Sequence, residues 1–231
     1  MRREPHARER LDAPTSPGDL AASLDDIERL DAWFRGYALT LAEIARAAER
    51  VPPHKTLVVV DVGGGRGDLA VRCVSWARRV GRPIRVIVVD RDPVSLALGA
   101  AVCRPYPEIV RVCADATTLP LAEASVDVAV CALTMHHLPP DGVTAALAEM
   151  RTVSRVSLVV NDLLRSRATW LLVWLATRLF ARHPFAHHDG PLSVRRAYDA
   201  TELRVLAEKA GVRDARIIHH ALWARLLLVA P

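Results

Sequence analysis

The chain has 231 residues, 51% of them hydrophobic and 25% charged, with a formal net charge of +5. That length fits one domain with a full-sized core, and the composition is ordinary for a soluble globular protein. Of the 31 lysines and arginines only Lys55 and Lys209 are lysines, and the basic residues are interspersed with acids, which disfavours a nucleic-acid-binding surface. Cys73, Cys103, Cys113 and Cys131 form no C-x-x-C pair and sit in apolar segments, so buried free thiols are expected. Arg2, Arg3, Glu4 and Pro5 do not open a signal peptide, and no apolar run reaches the ~18 residues of a membrane span. A cytoplasmic protein is expected.

Residues 1–18, rich in Arg, Pro and Glu and without period, read as a disordered arm. From Asp19 to Arg50 apolar residues recur at helical spacing (Leu20, Leu24, Ile27, Leu30, then Trp33, Phe34, Tyr37, Leu41, Ile44), with a break at Gly36 and a stop at Pro52-Pro53. The stretch L-V-V-V-D-V-G-G-G-R-G-D, from Leu57 to Asp68, is an apolar strand, a glycine turn and a helix start: the first β-α unit of a doubly wound sheet, with a ligand at the turn. It fails the dinucleotide fingerprint G-x-G-x-x-G, because Asp68 stands where the third glycine belongs. It meets acid-x-G-x-G-x-G through Asp61, Gly63, Gly65 and Gly67.

With that spacing the chain resembles the class I S-adenosylmethionine-dependent methyltransferases, whose first motif has this form. The rest of the chain agrees in order. A helix over 69–80 leads to a strand over 84–89 ending at Asp90-Arg91, and an acid about 20 residues past the loop suits ribose hydroxyls. A helix over 94–102 and a strand over 109–113 lead to Asp115-Ala116, which the resemblance assigns to adenine. A strand over 126–133 follows, in the passage D-A-T-T-L-P-L-A-E-A-S-V-D-V-A-V and beyond, placing Ala132 by the methionine end of the cofactor. The implied fold is α/β: a Rossmann-like, seven-stranded, mostly parallel sheet with an antiparallel last strand and helices on both faces. Residues 19–53 would cover the cleft and 54–231 would form the cofactor-binding domain.

The acceptor side is less sharply marked. His136 and His137 follow the fourth strand, where a nucleophile would approach, and His137 is the first candidate base. No D/N-P-P-Y/F closes that strand, which argues against amino groups of nucleobases or glutamine as acceptors. A helix over 142–154 and a strand over 155–160 lead to Asn161-Asp162. This pair is reversed relative to metal-dependent catechol-type enzymes and lacks their strand-four acid, so no metal is expected and Asn161 becomes a substrate contact. The apolar block containing Trp170 and Trp174, flanked by arginines, has three readings: a buried crossover helix, a lipophilic substrate wall, or an interfacial helix in peripheral contact with a membrane. The loop with His183, His187, His188 and Asp189 lacks the rigid spacing of a metal site and reads as a lid, an insertion at about 163–198, with His188 as second candidate base. Trp33 and Tyr37 are further candidate substrate contacts. After a helix over 201–210, strands over 213–219 and 222–229 read as a closing hairpin.

The function expected is methyl transfer from S-adenosylmethionine to a lipophilic small molecule, phenolic, polyketide or quinone-like, with O-methylation ahead of C-methylation. The alternatives are a nucleic-acid or protein methyltransferase and a non-catalytic module that binds the cofactor and regulates a partner.

Overall fold

Strings of β-branched residues build the centre of the molecule. In the computed structural model, which describes residues 1–231, the elements in chain order are α1 (Pro17–Trp33), α2 (Gly36–Ala48), β1 (Leu57–Val62), α3 (Asp68–Arg79), β2 (Ile84–Asp90), α4 (Pro93–Cys103) and β3 (Ile109–Cys113). There follow β4 (Val126–Ala132), α5 (Pro140–Val153), β5 (Ser154–Leu163), α6 (Arg167–Phe180), α7 (Pro184–Arg196), α8 (Ala200–Lys209), β6 (Arg216–His220) and β7 (Arg225–Ala230). The seven strands lie in the order β3-β2-β1-β4-β5-β7-β6. Only β7 runs against its neighbours, pairing antiparallel with β5 (Val160 opposite Leu228) and with β6.

Successive side chains of a strand point to opposite faces, and the core divides accordingly. Val60 and Val62 pack with Val143, Leu147 and Met150 of α5 and Leu203 of α8 on one face. Leu57 and Val59 pack with Ile44 of α2 and Ala70 and Val74 of α3 on the other. A third, smaller cluster joins Phe34 to Leu163, Val173, Ala176 and Val194 above the carboxyl ends of the strands. Between β1 and its neighbours β2 and β4 the chain direction of the crossovers reverses. That places a crevice at the strands' carboxyl ends. Cys73, Cys103 and Cys131 are buried free thiols; Cys113, on the edge strand β3, is exposed.

Two segments depart from the sequence reading. The amino-terminal arm is not disordered: it carries a 3-10 turn at Arg10–Asp12 and packs on α7. The Arg10 and Leu11 N–H groups donate to Asp189 at 2.9 and 3.2 Å, Glu4 N–H donates to Arg195 O at 3.0 Å, and the Arg3 guanidinium lies 3.7 Å over the Tyr198 ring. Charged side chains thus meet buried partners that no local pattern reveals. The lid "loop" over 183–196 is instead the helix α7. Pro184 stands in its first turn, where the missing N–H is an orphan anyway. Gly190 is a packing residue rather than a loop marker: a Cβ there would lie 2.7 Å from Thr177 Cγ2 on α6. No helix is long and apolar enough to cross a membrane.

Candidate active site

The glycine turn after β1 forms the floor of the crevice. Gly63 and Gly65 both have positive φ, 71° and 55°. At Gly63 a Cβ would fall 2.4 Å from Thr134 Oγ1, so backbone and side chain meet there only because the residue has none. At Gly65 nothing lies within 4 Å of that position; the backbone is open to the crevice. Gly65 N–H donates to Asp90 Oδ2 at 2.7 Å, and Asp92 N–H to Asp90 Oδ1 at 2.8 Å, so the acid at the end of β2 orders the glycine loop. Burial pushes the Asp90 carboxyl up. Asp92 itself caps α4, accepting from Val94 and Ser95.

Asp61, Gly63, Gly65, Asp90, Arg91, Asp115, Ala116 and Ala132 all line this crevice, a cavity of about 270 Å³. Gly67 does not; it caps α3 and lets Cys103 approach, a Cβ falling 2.8 Å from its Sγ. Asp115 is held low by hydrogen bonds from Thr117. Asp61 is the outlier. It is fully buried, its Oδ2 has no hydrogen-bond partner, and burial together with Asp90 and Asp68 pushes its carboxyl up to about 7. Such an orphaned buried carboxylate fits a cationic group of a ligand. The wall opposite is α1, whose Leu20, Leu24 and Ile27 face the crevice. Arg66 fastens α1 to the glycine loop, pairing with Asp68 at 2.8 Å and with Asp25 and Glu28. Its position inside the glycine run was the available signal, and sequence reasoning passed over it.

A second cavity of about 130 Å³ adjoins the first, sharing Leu11, Ile27, Asp31, Leu133 and His137 as walls. Leu30, Phe34, Leu163 and Val173 make most of it apolar. Besides the hydroxyl residues Thr177 and Ser193, two charged groups interrupt this lining. One is the Asp31–Arg225 pair, in which Arg225 Nε and Nη1 are buried without acceptors. The other is Glu9 with His136 and His137. His136 is 4% exposed; its Nδ1 lies 2.7 Å from Asp162 Oδ1 and its N–H donates to Asp162 Oδ2 at 3.0 Å. Against the cost of burial, His136 and these hydrogen bonds hold Asp162 below the usual carboxylate range. His137 Nδ1 lies 3.0 Å from Asp12 Oδ1, and burial of Asp12 is outweighed by bonds from His137 and Arg196. In both rings Nδ1 faces one carboxylate and Nε2 faces another, that of Glu9, at 3.8 Å. Leu133, at the junction of the two cavities, has φ 53°, a left-handed backbone rare for a leucine and of the kind that gathers at functional sites.

The remaining predicted residues are redistributed. Of the adjacent pair Trp33 and Phe34, helical geometry lets only one face inward, and it is Phe34; Trp33 is 54% exposed, 4.7 Å from the Phe180 ring. Tyr37 lines the first crevice rather than the second cavity, beneath Arg72. Asn161 lines neither cavity: its amide donates to Gly36 O and Thr40 Oγ1 at 2.9 and 2.8 Å, tying α2 to the sheet. On α6 it is Val173 and Thr177 that reach the cavity, whereas Trp170 and Trp174 stack on each other and on Arg195 and Arg178. The outer face of the same helix exposes Leu171, Leu175 and Leu179. His188 is on the exposed side of α7, 2.7 Å from Asp189, and lines neither cavity. Glu9, Asp12 and Arg225 were missed.

Residues 59–156 match the sequence model of a family described as a methyltransferase domain. A search of curated proteins found no match. Among solved structures, an S-adenosylmethionine-dependent methyltransferase from Aquifex aeolicus is similar over 81% of this chain and 88% of its own, with TM-score 0.57 and 18% identity. The methyltransferase domain of a citrinin polyketide synthase (TM-score 0.60, 14% identity) is covered over 48% of its length and 79% of this chain. The CurJ carbon methyltransferase (TM-score 0.59, 15% identity) is covered over 51% of its length and 81% of this chain. At these identities the structural likenesses establish the fold.

Proposed function

We propose that this chain is a class I S-adenosylmethionine-dependent methyltransferase, as its methyltransferase-domain match and fold support, and that its acceptor is a lipophilic small molecule carrying oxygen substituents, methylated on oxygen ahead of carbon. The carrying observation is the 130 Å³ cavity beside the cofactor crevice, walled by Leu11, Ile27, Leu30, Phe34, Leu133, Leu163 and Val173, with the Asp31–Arg225 pair, Glu9–His136–His137, Thr177 and Ser193 as its polar points. Aliphatic walls exclude water and favour ring or alkyl carbon. Arg225, with two buried donors lacking acceptors, suits a carbonyl or phenolate oxygen of the acceptor. The imidazoles of His136 and His137, beside Glu9, suit an oxygen of the acceptor near the group to be methylated. The neighbours named as polyketide methyltransferases make a polyketide-like acceptor a natural first class to assay.

When bound, the sulfonium supplies an activated methyl group, and in-line transfer then depends on alignment in a dry site. The chain's share is positional. Gly65 offers open backbone, Asp90 and Asp115 offer carboxylates for ribose and adenine, and Asp61 takes the cationic end of the methionine moiety. Phe34, Leu133 and Val173 hold the acceptor against that end.

Asp61 predicts a pH dependence. A carboxyl poised near 7 is protonated below that value in the free protein, and a cationic ligand favours its ionised form, so binding expels the proton. Affinity for the cofactor should then fall by about tenfold for each unit below pH 7, and proton release should be visible in the buffer dependence of binding enthalpy. Asp61→Asn should abolish that release; an unchanged proton count would detach Asp61 from the cofactor. The cavity is tested by Val173→Phe and Leu30→Trp. Both should raise the acceptor KM or stop turnover while cofactor affinity, which reports folding, stays within a few-fold. Undiminished turnover of lipophilic acceptors in both variants would place the acceptor elsewhere.

A further inference from the structure

We propose that Glu9, His136 and His137 bind one divalent transition ion of the zinc type at the polar end of the acceptor cavity. Their donor atoms lie within 4.8 Å of one another. His136 Nε2 is 3.8 Å from Glu9 Oε1, and His137 Nε2 is 3.8 Å from Glu9 Oε2. These separations are too long for hydrogen bonds. They are a few tenths of an ångström longer than the roughly 3.3–3.6 Å between two ligands that each stand about 2.0–2.2 Å from a tetrahedral ion, a gap that small side-chain shifts would close. Two histidines and one carboxylate with open positions is a recurrent donor set for ions of this class.

Three further observations point the same way. Both imidazoles have Nδ1 fixed by a carboxylate, Asp162 for His136 and Asp12 for His137, which is the carboxylate–histidine arrangement that orients metal ligands. Glu9 is 4% exposed and its Oε1 accepts no hydrogen bond, with the Arg196 guanidinium 3.4 Å away, so an ion would fill the place left open on that oxygen. The charges also balance: Glu9, Asp12 and Asp162 against Arg196, which contacts both Glu9 and Asp12, leave two negative charges. Two neighbouring histidines, on and beside α7, do not share the cluster. His183 is bonded to Ser23 and Asp19, and His188 faces away beside Asp189.

The remaining coordination positions would open on the acceptor cavity and take an oxygen of the acceptor, so this inference rests on the reading of that cavity as the acceptor site. It also differs from the absence of metal expected from the sequence, where Glu9 lay in a segment read as disordered. The test uses tag-free, chelator-stripped full-length protein titrated with Zn²⁺ and, for its visible spectrum, Co²⁺, without any acceptor. Elemental analysis should find about one equivalent, and Co²⁺ should show absorption of a nitrogen–oxygen site of low coordination number. Glu9→Gln and His137→Ala should lose the ion, and Asp12→Asn should weaken it by about 10–100-fold. Less than about a tenth of an equivalent in the wild type, or full binding in Glu9→Gln, overturns the proposal. Turnover of lipophilic acceptors by metal-free protein leaves the function standing and removes the ion. A bound ion without such turnover does the reverse.

Discussion

Removing residues 1–13 should lower methyl transfer by at least about a hundredfold while cofactor affinity shifts by less than about tenfold. The cut leaves α1 capped, since Ser16 Oγ accepts from Asp19 N–H. It also leaves the glycine loop, Asp61, Asp90 and Asp115 untouched. What it removes is Glu9 and Leu11, which wall the acceptor cavity, and Asp12, which holds His137 and with Leu11 edges the outer rim of the crevice. Opening that wall admits water and frees an imidazole that must stand within fractions of an ångström of its working position, and a misplacement of about 1 Å costs on the order of 10² in rate. Single-turnover rates with labelled cofactor, compared with calorimetric cofactor affinity, measure both halves. A truncated protein that turns over at the wild-type rate would show the arm to be a bystander.

Asp162→Ala should cost about 3–5 kcal/mol of stability, the expense of breaking a buried, hydrogen-bonded charge partner. The Asp162 carboxylate accepts from His136 Nδ1, His136 N–H and Leu163 N–H at 2.7, 3.0 and 2.7 Å, and the residue is 5% exposed. In a protein of this size about 1 kcal/mol moves the melting temperature by about 2–4 °C, so a fall of the order of 10 °C is expected. Asp162→Asn, which keeps shape and an acceptor oxygen, should recover part of it. A calorimetric melting temperature unchanged in the alanine variant would mean that His136 is held by something else.

The crevice at the glycine turn was legible in the sequence because its parts are local. Gly63 and Gly65 follow their strand directly, and Asp90 and Asp115 close the next two strands; strand ends in a doubly wound sheet converge by topology alone. The second cavity, proposed for the acceptor, is assembled across the chain. Asp12 meets His137 from 125 positions away and Arg225 meets Asp31 from 194, distances over which no period or spacing carries information. Asn161 was misplaced for a different reason: a polar residue at a strand end reads alike whether it faces a ligand or, as here, fastens the neighbouring helix. The choice of Trp33 over Phe34 and of Trp170 and Trp174 over Val173 and Thr177 followed residue size, whereas helix rotation decides which side chains face inward. Gly190, read as a loop residue, is the contact at which α6 and α7 touch. Arg225 could have been found, since a single charge opening the apolar run L-L-L-V is an anomaly in a buried strand.

The claim that joins these observations is that the methyl group goes to a lipophilic small molecule lodged beneath the amino-terminal arm. Full-length protein incubated with methyl-labelled S-adenosylmethionine and a panel of phenolic and polyketide acceptors, RNA and protein measures it directly. Label in the organic extract, on an acceptor oxygen, is the predicted result. Label confined to RNA or to protein would contradict the account.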